Sequence, residues 1–458
     1  MMKTSILPLF AGLLSAATPL LADEPTPVAL ELKTDFGLYP AESQERGVMQ
    51  VKLVPTAVER EAERPPVNLC IVLDRSGSMA GNKFNDAKQA TIEALQRLDR
   101  NDQFSLITYH TRAETVIAAG PIKNRREIEA KIKELYPSGN TAMYDGLNRG
   151  AAELRKKTEG DFFDRMILIS DGLANEGPSS PDDFTALGAA FEKEGISVSS
   201  VGLGVDFSES TLSALAQAGQ GNFYFAEEPA QLASIFDHEL GDVLSLVATE
   251  AVVEIEFAQG VEPVSTVGRE GEIYGQKVFY RINQLYGGND KFGLIEFKLP
   301  PGKNGEQTPL AKVTVTYLDS RAEQKRTLTD DIEIRYSQDL DAVAASANLD
   351  LQREVVANYD ATVTQEAAKM LREGDRSGAA SNFAKVSSFI DILGYSRYDA
   401  TRSNVADQAE AAQARAEQVE NDTMSRSEAI EVFELNPFQV TNQQSVPTRG
   451  GSSGSSRR

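Results

Sequence analysis

From Val28 onward apolar and polar side chains alternate, so that VALELKTDFGLY and GVMQVKLVP read as half-buried strands. The charged stretch EREAERPP (59–66) breaks this rhythm and reads as a linker. Beyond it, VNLCIVL (67–73) is apolar almost throughout, as expected of a strand covered on both faces. FSLITY (104–109), DRMILISDG (164–172), ISVSSVGLG (196–204) and NFYFAE (222–227) read as further strands. Between them lie stretches of helical spacing: NDAKQATIEALQRLDR (85–100), REIEAKIKEL (126–135), TAMYDGLNRGAAELRKK (141–157), PDDFTALGAAFEKEG (181–195) and ESTLSALAQAG (209–219). A long helix over 229–250 closes the region. Buried strands alternating with amphipathic helices predict a doubly wound, mostly parallel α/β sheet spanning 67–250.

Strict alternation returns over 251–336. VVEIEF, QKVFYRI, KFGLIEFKL, AKVTVTYL and TDDIEIRY are short strands separated by Gly/Pro turns such as LPPGKNG. No helical stretch intervenes, which predicts a β-sandwich-like domain. The segment 23–66 is expected to pack with it, leaving the α/β unit inserted between two parts of one β domain. Residues 337–421 carry helical spacing, with a helix hairpin turning at Gly374. Residues 422–458 end in NPFQVTNQQSVPTRGGSSGSSRR and read as a flexible polar tail.

Composition narrows the function classes. A chain of 458 residues is long enough for two to four domains. Its net charge of −22 repels nucleic acid and anionic lipid. The start, MMKTSILPLFAGLLSAATPLLADEP, has a short basic opening, an apolar run and a small residue before acid, as in a secretory signal peptide cut after Ala22. Export to the periplasm or the extracellular space is the resulting expectation. No second apolar stretch is long enough to span a membrane. The single cysteine, Cys70, rules out an internal disulfide and reads as a core residue. His110 and His238 are far apart, which excludes a histidine metal cluster and argues against His-dependent catalysis.

One stretch carries candidate chemistry. The apolar strand ends in VLDRSGSMAG, which places a carboxylate and two hydroxyls, Asp74, Ser76 and Ser78, at alternate positions. Ligands in open parallel sheets collect outside the carboxyl ends of the strands. Alternate residues of a tight loop, turned by Gly77, can offer their oxygens to one centre. Such a set suits a hard cation, Mg²⁺, Mn²⁺ or Ca²⁺. Two other strand exits point to the same edge. SGNTAMYDGL (138–147) puts Thr141 at a loop-to-helix junction, and LISDGLAN (168–175) puts Asp171 at the end of a central strand.

These stretches, with VGLG on a later strand, resemble a von Willebrand factor type A domain. The resemblance implies a metal-ion-dependent adhesion site built from the DxSxS loop, a threonine and an aspartate. All five positions are filled here, by Asp74, Ser76, Ser78, Thr141 and Asp171. RPPVNLCIVLDRSGSM and FYFAEEPAQLASIF also resemble the bacterial secreted calcium-activated chloride channel homologues and the inter-alpha-trypsin-inhibitor heavy-chain-like group. The resemblance implies a divalent cofactor, Mg²⁺ first with Mn²⁺ or Ca²⁺ as alternatives, and a protein partner that completes the metal's shell with an Asp or Glu carboxylate. The expected function is metal-dependent protein binding without catalysis. Two rivals stand beside it: a scaffold with a vestigial site, and a Mg²⁺-dependent phosphohydrolase. Against the latter, Ser76 stands where a second acid is needed, and the chain has no P-loop and no GxSxG.

Overall fold

The structure is a computed structural model and describes residues 26–56, 66–156, 162–204, 206–243, 245–424 and 426–444. The expected signal peptide (1–22) and most of the 59–66 linker lie outside the described residues. The chain opens with strands β1 (Val28–Thr34), β2 (Leu38–Pro40) and β3 (Glu45–Pro55). The α/β unit follows: β4 (Val67–Asp74), α1 (Asn82–Arg97), β5 (Gln103–Tyr109), β6 (Ala113–Pro121), α2 (Arg125–Lys133), α3 (Met143–Leu154), β7 (Phe163–Ser170), α4 (Pro181–Lys193), β8 (Ser197–Leu203), α5 (Glu209–Ala218), β9 (Gln220–Ala226) and α6 (Leu232–Val243). Its sheet runs β6-β5-β4-β7-β8-β9, with β4 in the middle, parallel to both neighbours. The pattern left 113–121 unassigned. There AETVIAAGP forms the antiparallel edge strand β6, intermediate in exposure along most of its length and therefore poor in continuous apolar character.

Period-two side-chain placement sorts β4 onto two helical layers. Leu69, Ile71 and Leu73 face Phe84, Ile92 and Leu95 of α1 and Phe236 and Leu240 of α6. Cys70 and Val72 face Leu147, Ala151 and Leu154 of α3 on the opposite side. Each fully buried aliphatic side chain contributes about 2 kcal/mol. Gly150 lets α3 lie close on the sheet, because a Cβ there would sit 2.8 Å from Val72 Cγ2.

Strands from both sides of this unit build the second body. β10 (Leu246–Phe257), β11 (Glu262–Val267), β12 (Glu272–Tyr274), β13 (Lys277–Tyr286), β14 (Lys291–Leu299), β15 (Gln307–Asp319) and β16 (Gln324–Ser337) join β1–β3. One sheet runs β1-β3-β14-β11 and the other β12-β13-β10-β15-β16-β2, and they share a hydrophobic core. The helix expected over 229–250 ends at Val243. Leu246 onward is strand, because Leu246–Glu256 pairs with β13 and the chain must cross into the sandwich sheet there.

The C-terminal layer comprises α7 (Leu340–Ala345), α8 (Leu349–Arg372), α9 (Arg376–Asn382), α10 (Ala384–Ile392), α11 (Asp399–Asn421), α12 (Arg426–Ile430), a π-helical turn (Glu431–Leu435) and α13 (Asn436–Thr441). Gly374, at φ +85°, ends α8 before α9 begins. Asp35 ties this layer to the strands, accepting hydrogen bonds from Tyr39 Oη (2.6 Å) and Tyr395 Oη (2.9 Å).

The reading of 422–458 as a flexible tail is corrected for 426–444. Phe438 is buried against Phe223, ring centroids 5.9 Å apart. The Gln444 amide accepts from Phe223 N (3.1 Å) and donates to Phe223 O (3.2 Å), so it satisfies the open edge of β9. Gln443 does the same for Phe292 at the start of β14, at 2.9 and 3.0 Å. The amides that make NPFQVTNQQ look unstructured stand in for a strand backbone.

Candidate metal centre at the sheet edge

Register brings the candidate carboxylates together. Leu73 lies opposite Ile169, so Asp74 and Ser170 leave neighbouring strands at one level and Asp171 follows. The Ser76 N–H donates to Asp74 Oδ1 (2.8 Å), which turns the loop back over the strand end. Ser170 Oγ donates to Asp74 Oδ2 (2.8 Å). Ser76 Oγ and Ser78 Oγ are 3.0 Å apart, and Ser78 Oγ donates to Asp171 Oδ1 (2.7 Å). Four of the five expected residues thus form one connected cluster. Asp74 and Asp171 are both 0% exposed. Burial pushes the Asp74 carboxyl up to about 6, against the pull of its bonds from Ser76 and Ser170, and the neighbouring Asp171 charge adds to the rise.

Thr141 comes from the third loop. Gly77 N donates to Gly139 O (3.1 Å) and Ser138 N to Arg75 O (2.6 Å), zipping the two loops together. Thr141 N donates to Asn175 Oδ1 (2.8 Å), and Asn175 N returns a bond to Thr141 O (3.2 Å). The Thr141 hydroxyl has no hydrogen bond among the described residues although the residue is 4% exposed. A Cβ placed on Gly172 would lie 3.5 Å from Ser78 Oγ and 3.9 Å from Thr141 Oγ1, so both hydroxyls border the same small space. All five expected side chains therefore sit at this edge.

Three contributors escaped the sequence reading. Ser170 holds Asp74, and Asn175 holds Thr141. The third, Lys83, places its Nζ 2.8 Å from Asp171 Oδ2. Lys83 lies in the first turn of α1, where the helix dipole disfavours a cation. That misplacement was the available clue that its charge answers a carboxylate elsewhere. Arg75, between the two ligand positions, braces the loops through Thr108 Oγ1, Ser138 Oγ and Glu114 Oε2.

The donor set fits a hard divalent cation. It is all oxygen, it combines two carboxylates with three hydroxyls, and one carboxylate already holds a cationic ammonium. Among the described residues no cluster of three or more His, Cys, Asp or Glu forms an alternative metal site. The rim is partly apolar: Tyr136 is 69% exposed and Leu173 58%, on the loops that carry Thr141 and Asp171.

On the far side of the same sheet Arg165 of β7 and Glu239 of α6 form an ion pair, each side chain 1% exposed. Burial alone would raise Glu239, but the Arg165 guanidinium and bonds from Asn222 and Tyr224 hold it below the ordinary carboxylate range. This pair anchors α6 to the sheet.

Residues 68–238 match the family model of the von Willebrand factor type A domain. Protein sll0103 of Synechocystis sp. is 28% identical over 327 residues, 69% of this chain and 77% of that one. Inter-alpha-trypsin inhibitor heavy chain H3 of Homo sapiens is 32% identical over 126 residues, 26% of this chain and 14% of that one. The solved structure of von Willebrand factor type A from Catenulispora acidiphila superposes with a TM-score of 0.64 at 16% identity, over 90% of this chain and 96% of that one. That last likeness is one of fold, and it takes in the sandwich and the helical layer as well as the α/β unit.

Proposed function

Since residues 68–238 of this chain form a von Willebrand factor type A domain, we propose that its sheet edge binds a divalent cation and, through it, a carboxylate of a protein partner. The observation that carries the reading is the convergence of Asp74, Ser76, Ser78, Thr141 and Asp171 from three loops onto one oxygen-lined edge. A dication held there supplies an electrophilic centre for an incoming carboxylate oxygen. Asp74 and Asp171 balance its charge, and the Thr141 hydroxyl has lone pairs to give. Tyr136 and Leu173 offer apolar contact area around that point, as a partner-facing rim requires. Mg²⁺ is the first candidate metal, with Mn²⁺ and Ca²⁺ as alternatives.

The proposed role is binding without catalysis. His110 Nε2 is turned toward Glu114 (3.6 Å), and a phosphohydrolase would need a second acid at position 76. Export, to the periplasm or beyond, belongs to the same proposal and rests on the N-terminal residues. The reading as a scaffold with a vestigial site draws on Lys83, which already neutralises Asp171. Calorimetric titration of Mg²⁺, Mn²⁺ and Ca²⁺ into the full chain separates the two. One-site binding that disappears in Asp171→Asn supports the adhesion-type site. Absence of binding at millimolar metal refutes it in favour of the scaffold.

A further inference from the structure

A second site lies away from the sheet edge, where the three bodies of the molecule meet. A cleft of about 370 Å³ opens between α5 and β9 of the α/β unit, the β11–β13 side of the sandwich, and the end of α13. Two arginines line it, Arg269 and Arg281. Among the described residues neither pairs with a carboxylate, in a chain of net charge −22 where acid is abundant. Arg269 uses one edge of its guanidinium, Nη2, on Asn442 O (3.2 Å) and Gln443 Oε1 (3.5 Å). Its Nε is closed off from solvent and has no hydrogen-bond partner. Burial draws the guanidinium down to about 10.

Capping of the α13 carbonyls explains Nη2 only, and Lys291 Nζ already holds Asn442 O and Gln443 O at 2.9 and 2.7 Å. It does not account for Arg281, whose side chain projects from the exposed face of β13. Arg269 is partly buried, and a guanidinium with no carboxylate partner among the described residues favours an answering anion. The remaining lining includes the amides of Gln217 and Gln220, which suit the polar body of a small ligand.

We propose that this cleft binds a small oxyanion, phosphate or carboxylate in character, gripped by Arg269 and Arg281. Guanidinium forks match both groups in bidentate geometry. Glu270 lies in the lining and opposes the ligand's charge. An anion that binds the folded chain and not the unfolded one raises its stability by mass action.

The test uses the full chain at constant ionic strength, with inorganic phosphate and succinate as separate probes, followed by calorimetry and thermal midpoint. The expected result is saturable binding of at least one probe with a rising midpoint; the tighter probe identifies the ligand's source. Arg281→Gln, an exposed substitution that leaves the core intact, weakens binding about tenfold or more. Glu270→Gln strengthens it, and Arg321→Gln, remote from the cleft, leaves it unchanged. No saturable binding of either probe overturns the proposal, as does equal binding by wild type and Arg281→Gln.

Discussion

Replacing Lys83 by Met is the most direct probe of the metal centre. Lys83 Nζ lies 2.8 Å from Asp171 Oδ2, its side chain 28% exposed and the carboxylate 0%. At an effective dielectric of about 20 such a pair attracts by about 6 kcal/mol in gross terms. Partial solvation of the ammonium and the cost of ordering it leave a net value of about 1.5–3 kcal/mol, that of a charged hydrogen bond. A dication that takes Asp171 must displace this contact. Methionine keeps the length and the apolar stem but cannot compete. The variant is therefore expected to bind Mg²⁺ between about tenfold and a hundredfold more tightly by calorimetry. Without metal it is expected to unfold at lower urea than wild type, because Asp171 is left buried and unpaired, and saturating Mg²⁺ should reverse that deficit. An affinity equal to or below wild type would refute the reasoning, because it would mean that Lys83 does not compete at Asp171.

Three further outcomes are expected. Glu239→Ala strands the buried Arg165 charge and should cost about 3–5 kcal/mol in urea unfolding, whereas loss below about 1 kcal/mol would show that α6 is anchored otherwise. Phe438→Ala removes a ring packed on Phe223 and should cost about 3 kcal/mol or more, while an unchanged midpoint would return 426–444 to the status of a tail. Asp35 is pushed up to about 6 by burial, against the pull of its bonds from Tyr39 and Tyr395. The folded state therefore holds this proton more tightly than the unfolded state, so the group's contribution is greatest below about pH 4 and is lost as pH rises toward about 6. Relative to Asp35→Asn, wild type should lose about 3 kcal/mol across that window, and parallel stability profiles for the two proteins would disprove it.

The strands and helices of the α/β unit were legible because their causes are local. VNLCIVL is apolar on both faces whatever it packs against, and the helical spacing of 85–100 or 209–219 needs no partner to be recognised. Asp74, Ser76 and Ser78 were legible for the same reason, since one short loop carries all three. Thr141 and Asp171 could be placed at strand exits, but their meeting depends on the β4–β7 register and on the pairing of Gly77 with Gly139. Apart from β6, whose half-exposed residues carry no continuous apolar run, the failures involve groups whose partner is distant in sequence. Residues 246–250 continued a helical pattern until β13 claimed them. Gln443 and Gln444 looked like solvated amides until the open edges at Phe292 and Phe223 made them substitutes for a strand. Lys83 drew no reading from the sequence, because the carboxylate it answers lies 88 residues away. Periodicity, turn chemistry and a compact ligand loop are properties of neighbouring residues, so the sequence alone determined them. Which charge meets which, and which polar group replaces water at a buried edge, are decided only when the chain closes on itself, because desolvation makes those pairings obligatory.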